Sequence, residues 1–195
     1  MTRTIGLLGA IAVLGFTVAP QILIQPDSKV WVTGDSTVRG FTCLAQDVQG
    51  SVEPGSNGGM LDVNQLGGSV GAVELRVPVM ELDCGNGTMD GHMQKALKAS
   101  DHKTIVFRLK GYDASAPTTG KSTLTLRGTL AIAGAEQPVA IQAVASQEPD
   151  GTLRVEGAQQ ITMSEWGIKP PSLMLGTMKV RDQVTVNFDI RLRQQ

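Results

Sequence analysis

The sequence predicts an all-β protein with one short helix, built as an eight-stranded antiparallel barrel. Three observations carry this. Eight segments alternate apolar and polar residues with period two. Beyond the N-terminal apolar run, the best helical spacing lies in a single segment, residues 84–100. The chain also has 23 glycines in 195 residues, which suits many tight turns and few long helices. Eight antiparallel strands with short turns fit a barrel or a sandwich. Several segments run longer than an average strand, which favours a deep barrel that can hold one small ligand.

The N-terminus comes first. Arg3 begins a short positive region, residues 5–18 are apolar, and Thr17, Val18 and Ala19 offer small residues for a peptidase. The apolar run also reads through to Ile24, long enough to cross a bilayer. Residues 1–24 are therefore expected to be either a signal peptide or a membrane anchor through which the chain associates with a membrane. Both place the following domain outside the cytoplasm.

The strands follow in order. "SKVWVTG" (28–34) is the first, and a long stretch over 37–53, bent at Gly40 or Gly50, is the second. "AVELRVPV" turns Val73, Leu75, Val77 and Val79 to one face. "TIVFRLKGY" does the same with Ile105, Phe107 and Leu109, and "STLTLRGTLAI" with Leu124, Leu126, Leu130 and Ile132. "PVAIQAVAS" places Val139, Ile141, Ala143 and Ala145 inward, and "TLRVEGAQQIT" places Leu153, Val155 and Ile161. "QVTVNFDIRL" is the clearest, with Val184, Val186, Phe188, Ile190 and Leu192 opposite Thr185, Asn187, Asp189 and Arg191. "AGAEQ" (133–137) and "EPDG" (148–151) read as tight connections. "EPGSNGGM" (53–60) and "YDASAPTTGK" (112–121) read as polar, flexible ones.

The helix puts Met89, Met93, Ala96, Leu97 and Ser100 on one face, with Thr88 or Asp90 as its cap. About three turns cannot stand alone in water, so this face must lie on something apolar, such as the open end of the barrel. Met163, Met174 and Met178 gather in the other non-sheet segment, with Trp166 at the same rim. Methionine adapts to irregular apolar partners, which serves a pliable portal or ordinary core filling equally well.

Cys43 and Cys84 are the only cysteines. In an oxidising compartment a lone pair most simply forms one disulfide, worth ~3–4 kcal/mol in the chain-entropy model for this loop length. A thiolate pair for metal or redox work is the alternative, although CxxC spacing is absent. Charge is balanced, with 17 basic and 18 acidic side chains and no basic run, which argues against nucleic acid as a partner. His92 and His102 are not at metal-ligand spacing and read as turn and cap residues, so no metal or other cofactor is expected. No nucleophile elbow, Ser–His–Asp set or phosphate loop is present, so no enzyme is expected.

Three stretches resemble the YceI-like family: "GDSTVRGFTC" (34–43), "VPVMELDCGNGTMDGHMQKALKASDHKTIVF" (77–107) and "GIKPPSLMLGTMKVRDQVTVNFDIRL" (167–192). Arg39 stands where many members carry His, and the cysteine pair looks like a feature of one branch. The resemblance implies a lipocalin-like barrel over residues 28–193, exported and periplasmic, that carries a polyisoprenoid, an isoprenoid quinone-like lipid or another long-chain lipid. On that basis Phe41, Leu75, Val77, Phe107, Leu109, Leu126, Ile141 and Phe188 are expected to line the barrel. Met89, Met93, Leu97, Met163, Trp166 and Met174 are expected at its mouth. The alternative is an envelope structural or stress-response protein with a packed barrel and no stored ligand. A hydrolase or metal enzyme using His92 and His102 is a distant third. Monomer and homodimer both stay open.

Overall fold

A computed structural model describes residues 21–173 and 177–195. The strands are β1 (Ile22–Ile24), β2 (Lys29–Ser36), β3 (Gly40–Ala45), β4 (Gln49–Pro54), β5 (Val70–Pro78), β6 (Leu82–Asp83), β7 (Thr104–Ala114), β8 (Lys121–Ile132), β9 (Ala135–Gln147), β10 (Leu153–Thr162), β11 (Ser172–Leu173) and β12 (Met178–Gln194). The helix α1 spans Gly87–Ala96. The ring β1–β4–β5–β7–β8–β9–β10–β12 closes when β12 pairs with β1, giving an eight-stranded antiparallel barrel with one helix. Closure leaves no long free edge.

Toward the other end the sheet continues differently. There β12 pairs with β2, β2 with β3, and β3 with β6. Three walls of the barrel are thus each made of two short strands in line: β1 with β2, β3 with β4, and β5 with β6. The long stretch expected over 37–53 is one such wall, and its break falls elsewhere than expected. Residues 37–39 form the turn of the β2–β3 hairpin, where Ser36 Oγ accepts from Arg39 N at 3.1 Å. The chain then leaves the sheet at residues 46–48, where Gln46 N donates to Glu81 O at 2.8 Å. Gly50 marks a close approach, since a Cβ there would sit 2.3 Å from Glu74 O.

Ile22–Ile24 corrects the reading of residues 1–24 as a leader or anchor at its inner edge. These residues are a barrel strand: Ile22 is buried and pairs with both Gln194 and Val52. The β8–β9 turn is also tighter than "AGAEQ" suggested. Ala133 and Gly134 both adopt positive φ, and Ala135 already pairs with Ile132. The connection expected over 53–60 is mostly exposed, and the chain beyond it turns inward. Leu61, Val63 and Leu66 are buried, each below 9% exposed, and belong to the main core cluster.

The antiparallel alternation sorts the connections. Residues 55–69, 115–120 and 148–152 lie at one end, the floor. Residues 37–39, 79–103, 133–134 and the segment after β10 lie at the other, the mouth. On the outer face Arg154 donates to both carboxylate oxygens of Asp189, at 2.9 and 2.8 Å. That hydrogen bonding, with the guanidinium charge, holds the buried Asp189 carboxyl below its ordinary range.

Candidate functional site: a two-chamber apolar tunnel

Inward-facing residues do not fill the barrel. A deep chamber of about 170 Å³ and a mouth chamber of about 320 Å³ share Val30, Val77, Ile105, Leu130 and Val186 in their walls. They therefore follow one another along the barrel axis. The deep chamber is lined by aliphatic and aromatic side chains apart from Gln159 and the Tyr112 hydroxyl. Leu75, Val77, Phe107, Leu109, Leu126, Ile141 and Phe188 all line it.

Glycine opposite phenylalanine shapes this wall. Phe188 pairs with Gly157 across β10 and β12, and a Cβ on Gly157 would come within 2.5 Å of the ring. Phe41 lies over Gly34 in the same way, again at 2.5 Å. Each ring lies against the sheet over a residue without a side chain. Alanine at either glycine would push the ring away from the wall.

The mouth chamber is more mixed. Phe41, Met89, Met93, Leu97 and Met163 line it, as does Val77 from the shared wall, and Met178 joins them. Its polar side chains are Ser36, Arg39, Asn86, Thr88 and His92. The deep wall thus excludes polar groups, whereas the mouth offers hydrogen bonds and the guanidinium of Arg39.

The helix covers part of this mouth. Its cap is neither Thr88 nor Asp90 but Asn86, whose Oδ1 accepts from Met89 N at 3.1 Å. Asp90 instead accepts from Cys84 N at 2.8 Å, tying the helix to the strand before it. Lys98, at φ 53°, follows the C-cap Leu97. Met93, Ala96 and Leu97 pack toward the core, but no residue of the helix is fully buried. Cys43 and Cys84 form a disulfide that joins β3 to the start of this segment and lines the mouth chamber.

Trp166 corrects the expected rim. It lies in a 3₁₀ turn (Met163–Trp166), is 5% exposed, and donates its indole N–H to Leu130 O at 3.2 Å. It lines neither chamber. A large ring with one donor fits best where the apolar body is buried and the N–H has a partner, and a backbone carbonyl supplies it. Met174 falls outside the described residues. His92 lines the mouth, whereas His102 packs over the β8–β9 turn, its ring where a Cβ on Gly134 would be. The two histidines do not form one site, and among the described residues no group of three or more His, Cys, Asp or Glu converges. Among the described residues no helix is long and apolar enough to cross a membrane.

Leu153, Val155, Ile190 and Leu192, read as inward-facing from period two but not named among the lining residues, also line the deep chamber. Leu66 and Tyr112 had no such signal, because one lies in a connection and the other follows a break in register between Leu109 and Gly111.

Comparison with known proteins matches this geometry. A family model described as "YceI-like domain" matches residues 24–192. No curated protein matches. Among solved structures, a polyisoprenoid binding domain from Saccharophagus degradans superposes with a TM-score of 0.67 at 10% identity, covering 92% of this chain and 100% of its own. Burkholderia cenocepacia BcnA gives 0.61 at 17% identity, covering 85% and 96%. The Campylobacter jejuni YceI protein gives 0.58 at 16% identity, covering 78% and 84%. At these identities the likeness is one of fold.

Proposed function

Because the chain belongs to the YceI-like domain family, we propose that it is a non-catalytic exported carrier for a long apolar amphiphile, of the isoprenoid lipid class. The observation that carries this is the deep chamber, whose wall is apolar but for Gln159 and Tyr112 and which shares five wall residues with a mouth chamber that has polar side chains. An apolar tail in that chamber gains about 0.8 kcal/mol for each methylene group removed from water. A polar head group meets Arg39, Asn86, Thr88 and His92 at the rim. The polyisoprenoid binding domain among the structural neighbours supports the choice of lipid class. The open volume favours this carrier over a packed structural barrel.

Export fits the disulfide, which persists in an oxidising compartment such as the periplasm. Residues 22–24 are built into the barrel, so a leader or an anchor would be confined to the apolar run before them, and either would place the barrel outside the cytoplasm.

The test is a solvent extract of the purified protein, read by mass spectrometry, alongside the variant Leu126→Trp. Leu126 lines the deep chamber in mid-strand. The wild type is expected to yield one lipid class, and the variant much less, with the delipidated proteins about equally stable in denaturant. In a packed barrel the indole would overpack and cost ~1–3 kcal/mol. That loss, with no lipid from either protein, would refute the carrier.

A further inference from the structure

The deep chamber has a built floor. Residues 55–69 fold back under the barrel, and three of their apolar side chains, Leu61, Val63 and Leu66, are buried, while Met60 is exposed. Of these only Leu66 lines the chamber. Its position is fixed from the wall. The Tyr112 hydroxyl donates to Leu66 O at 2.5 Å and accepts from Ser69 N at 3.1 Å and Val70 N at 3.2 Å. Asn57 Nδ2 donates to Ser69 Oγ at 3.0 Å, and Val63 N donates to Gln147 Oε1 at 3.1 Å. Ser69 itself is fully buried. Every one of these bonds ties the floor to itself or to the barrel wall.

We infer that Leu66 is the stop that sets the longest tail the protein accepts. This rests on the carrier function proposed above. A tail enters under α1 and passes the shared wall at Val30, Val77, Ile105, Leu130 and Val186. Each added methylene group raises affinity about fourfold while the tail still has chamber ahead of it. Once the tail touches Leu66, a further carbon has nowhere to go. It must bend the tail or lift the head group from the rim, and either loses contacts. Affinity against tail length should therefore rise, break, and then fall, with the break at the depth of Leu66.

The experiment uses the delipidated full chain and an even-carbon series of straight-chain fatty acids. Their affinities are read by displacement of a fluorescent fatty acid. Wild type should show one break. Leu66→Ala should move it to longer tails, and Leu66→Phe to shorter ones. Met93→Ala, at the mouth, should lower affinity alike at every length and leave the break in place. Leu66→Met conserves volume and should behave as wild type. If Leu66→Ala does not fold, the Phe and Met variants carry the comparison. A break that stays at one length in the folded Leu66 variants overturns the stop while leaving the carrier intact. No binding at any length in wild type overturns the carrier, and the stop with it.

Discussion

The two ends of the barrel are closed by different physics. At the floor, one half-buried tyrosine makes three hydrogen bonds to the backbone of residues 66, 69 and 70, and three buried side chains of this segment join the main core cluster. At the mouth, a ten-residue helix with no fully buried residue rests on apolar neighbours, and a disulfide holds the segment that leads into it. A closure whose side chains are buried in the main core opens only with the whole fold. One with partly exposed contacts can open locally at much lower free energy. The floor is thus suited to being a wall and the mouth to being a door. The disulfide keeps the door hinged, since it fixes Cys84 to β3 whatever the helix does.

The largest effect should come from cutting that hinge. Cys43→Ser with Cys84→Ser removes a cross-link worth ~3–4 kcal/mol in the chain-entropy model. Denaturant unfolding should show that loss. Hydrogen exchange should show extra opening in α1 and little in residues 55–69. Equal loosening at both ends would erase the distinction between door and wall.

The floor should break next. Tyr112→Phe leaves Val70 N without its partner, while Leu66 O and Ser69 N keep the 3.0 Å bond between them; one such group left unpaired costs roughly 1–3 kcal/mol. Losing the hydroxyl's bonds to Leu66 O and Ser69 N adds little, so the total stays within about 1–3 kcal/mol. The loss should appear in the global unfolding curve, not as a separate early transition. An early transition with the core intact would mean that the floor is a flap.

The walls and the one helix were legible in the sequence, and the floor and the fine placement of several residues were not. Leu75, Phe107, Leu126 and Phe188 were found because a strand with one buried face repeats every second residue, and that signal needs no partner to be read. Leu66 has no such period. It lies in a Gly-rich connection, and its burial follows from a tyrosine 46 residues away. Asn86 was passed over as a cap because the helix starts at Gly87, two residues before the first methionine of its apolar face. Trp166 was placed at the rim because its neighbours looked like loop, whereas its N–H found Leu130 O inside. Ile22–Ile24 merged with the apolar run before it, since three residues are too few to show alternation.

A control for both ends lies on the outer wall, away from either. Asp189 is held below its ordinary carboxylate range by Arg154, so it binds its proton more weakly in the folded chain than in the unfolded one. A group of that kind stabilises fully above its unfolded pKa and loses that contribution as pH falls below about 4 and through its folded value. Asp189→Asn should cost roughly 1.5–3 kcal/mol at neutral pH, as expected for a hydrogen bond to a charged group. It should also flatten the stability profile between neutral pH and the acid limb. A profile as steep as that of wild type would assign the acid sensitivity to other carboxylates.

The smallest effect should come from the helix cap, and it tests the door directly. Asn86 accepts from Met89 N and so satisfies one of the unpaired donors at the start of α1. Asn86→Ala should cost about 1 kcal/mol of local stability. Global unfolding should record only part of this, because the helix contributes no fully buried side chain. What should change is the rate at which a bound fatty acid leaves. If the helix must lift for the tail to pass, weakening its first turn raises the open population about fivefold for each 1 kcal/mol, and the off-rate rises in step. Stopped-flow displacement from the wild type and from Asn86→Ala measures this. The same measurement on Tyr112→Phe should show an off-rate close to wild type, because the floor does not lie on the exit path. An off-rate raised by the floor variant and untouched by the cap variant would reverse the two ends.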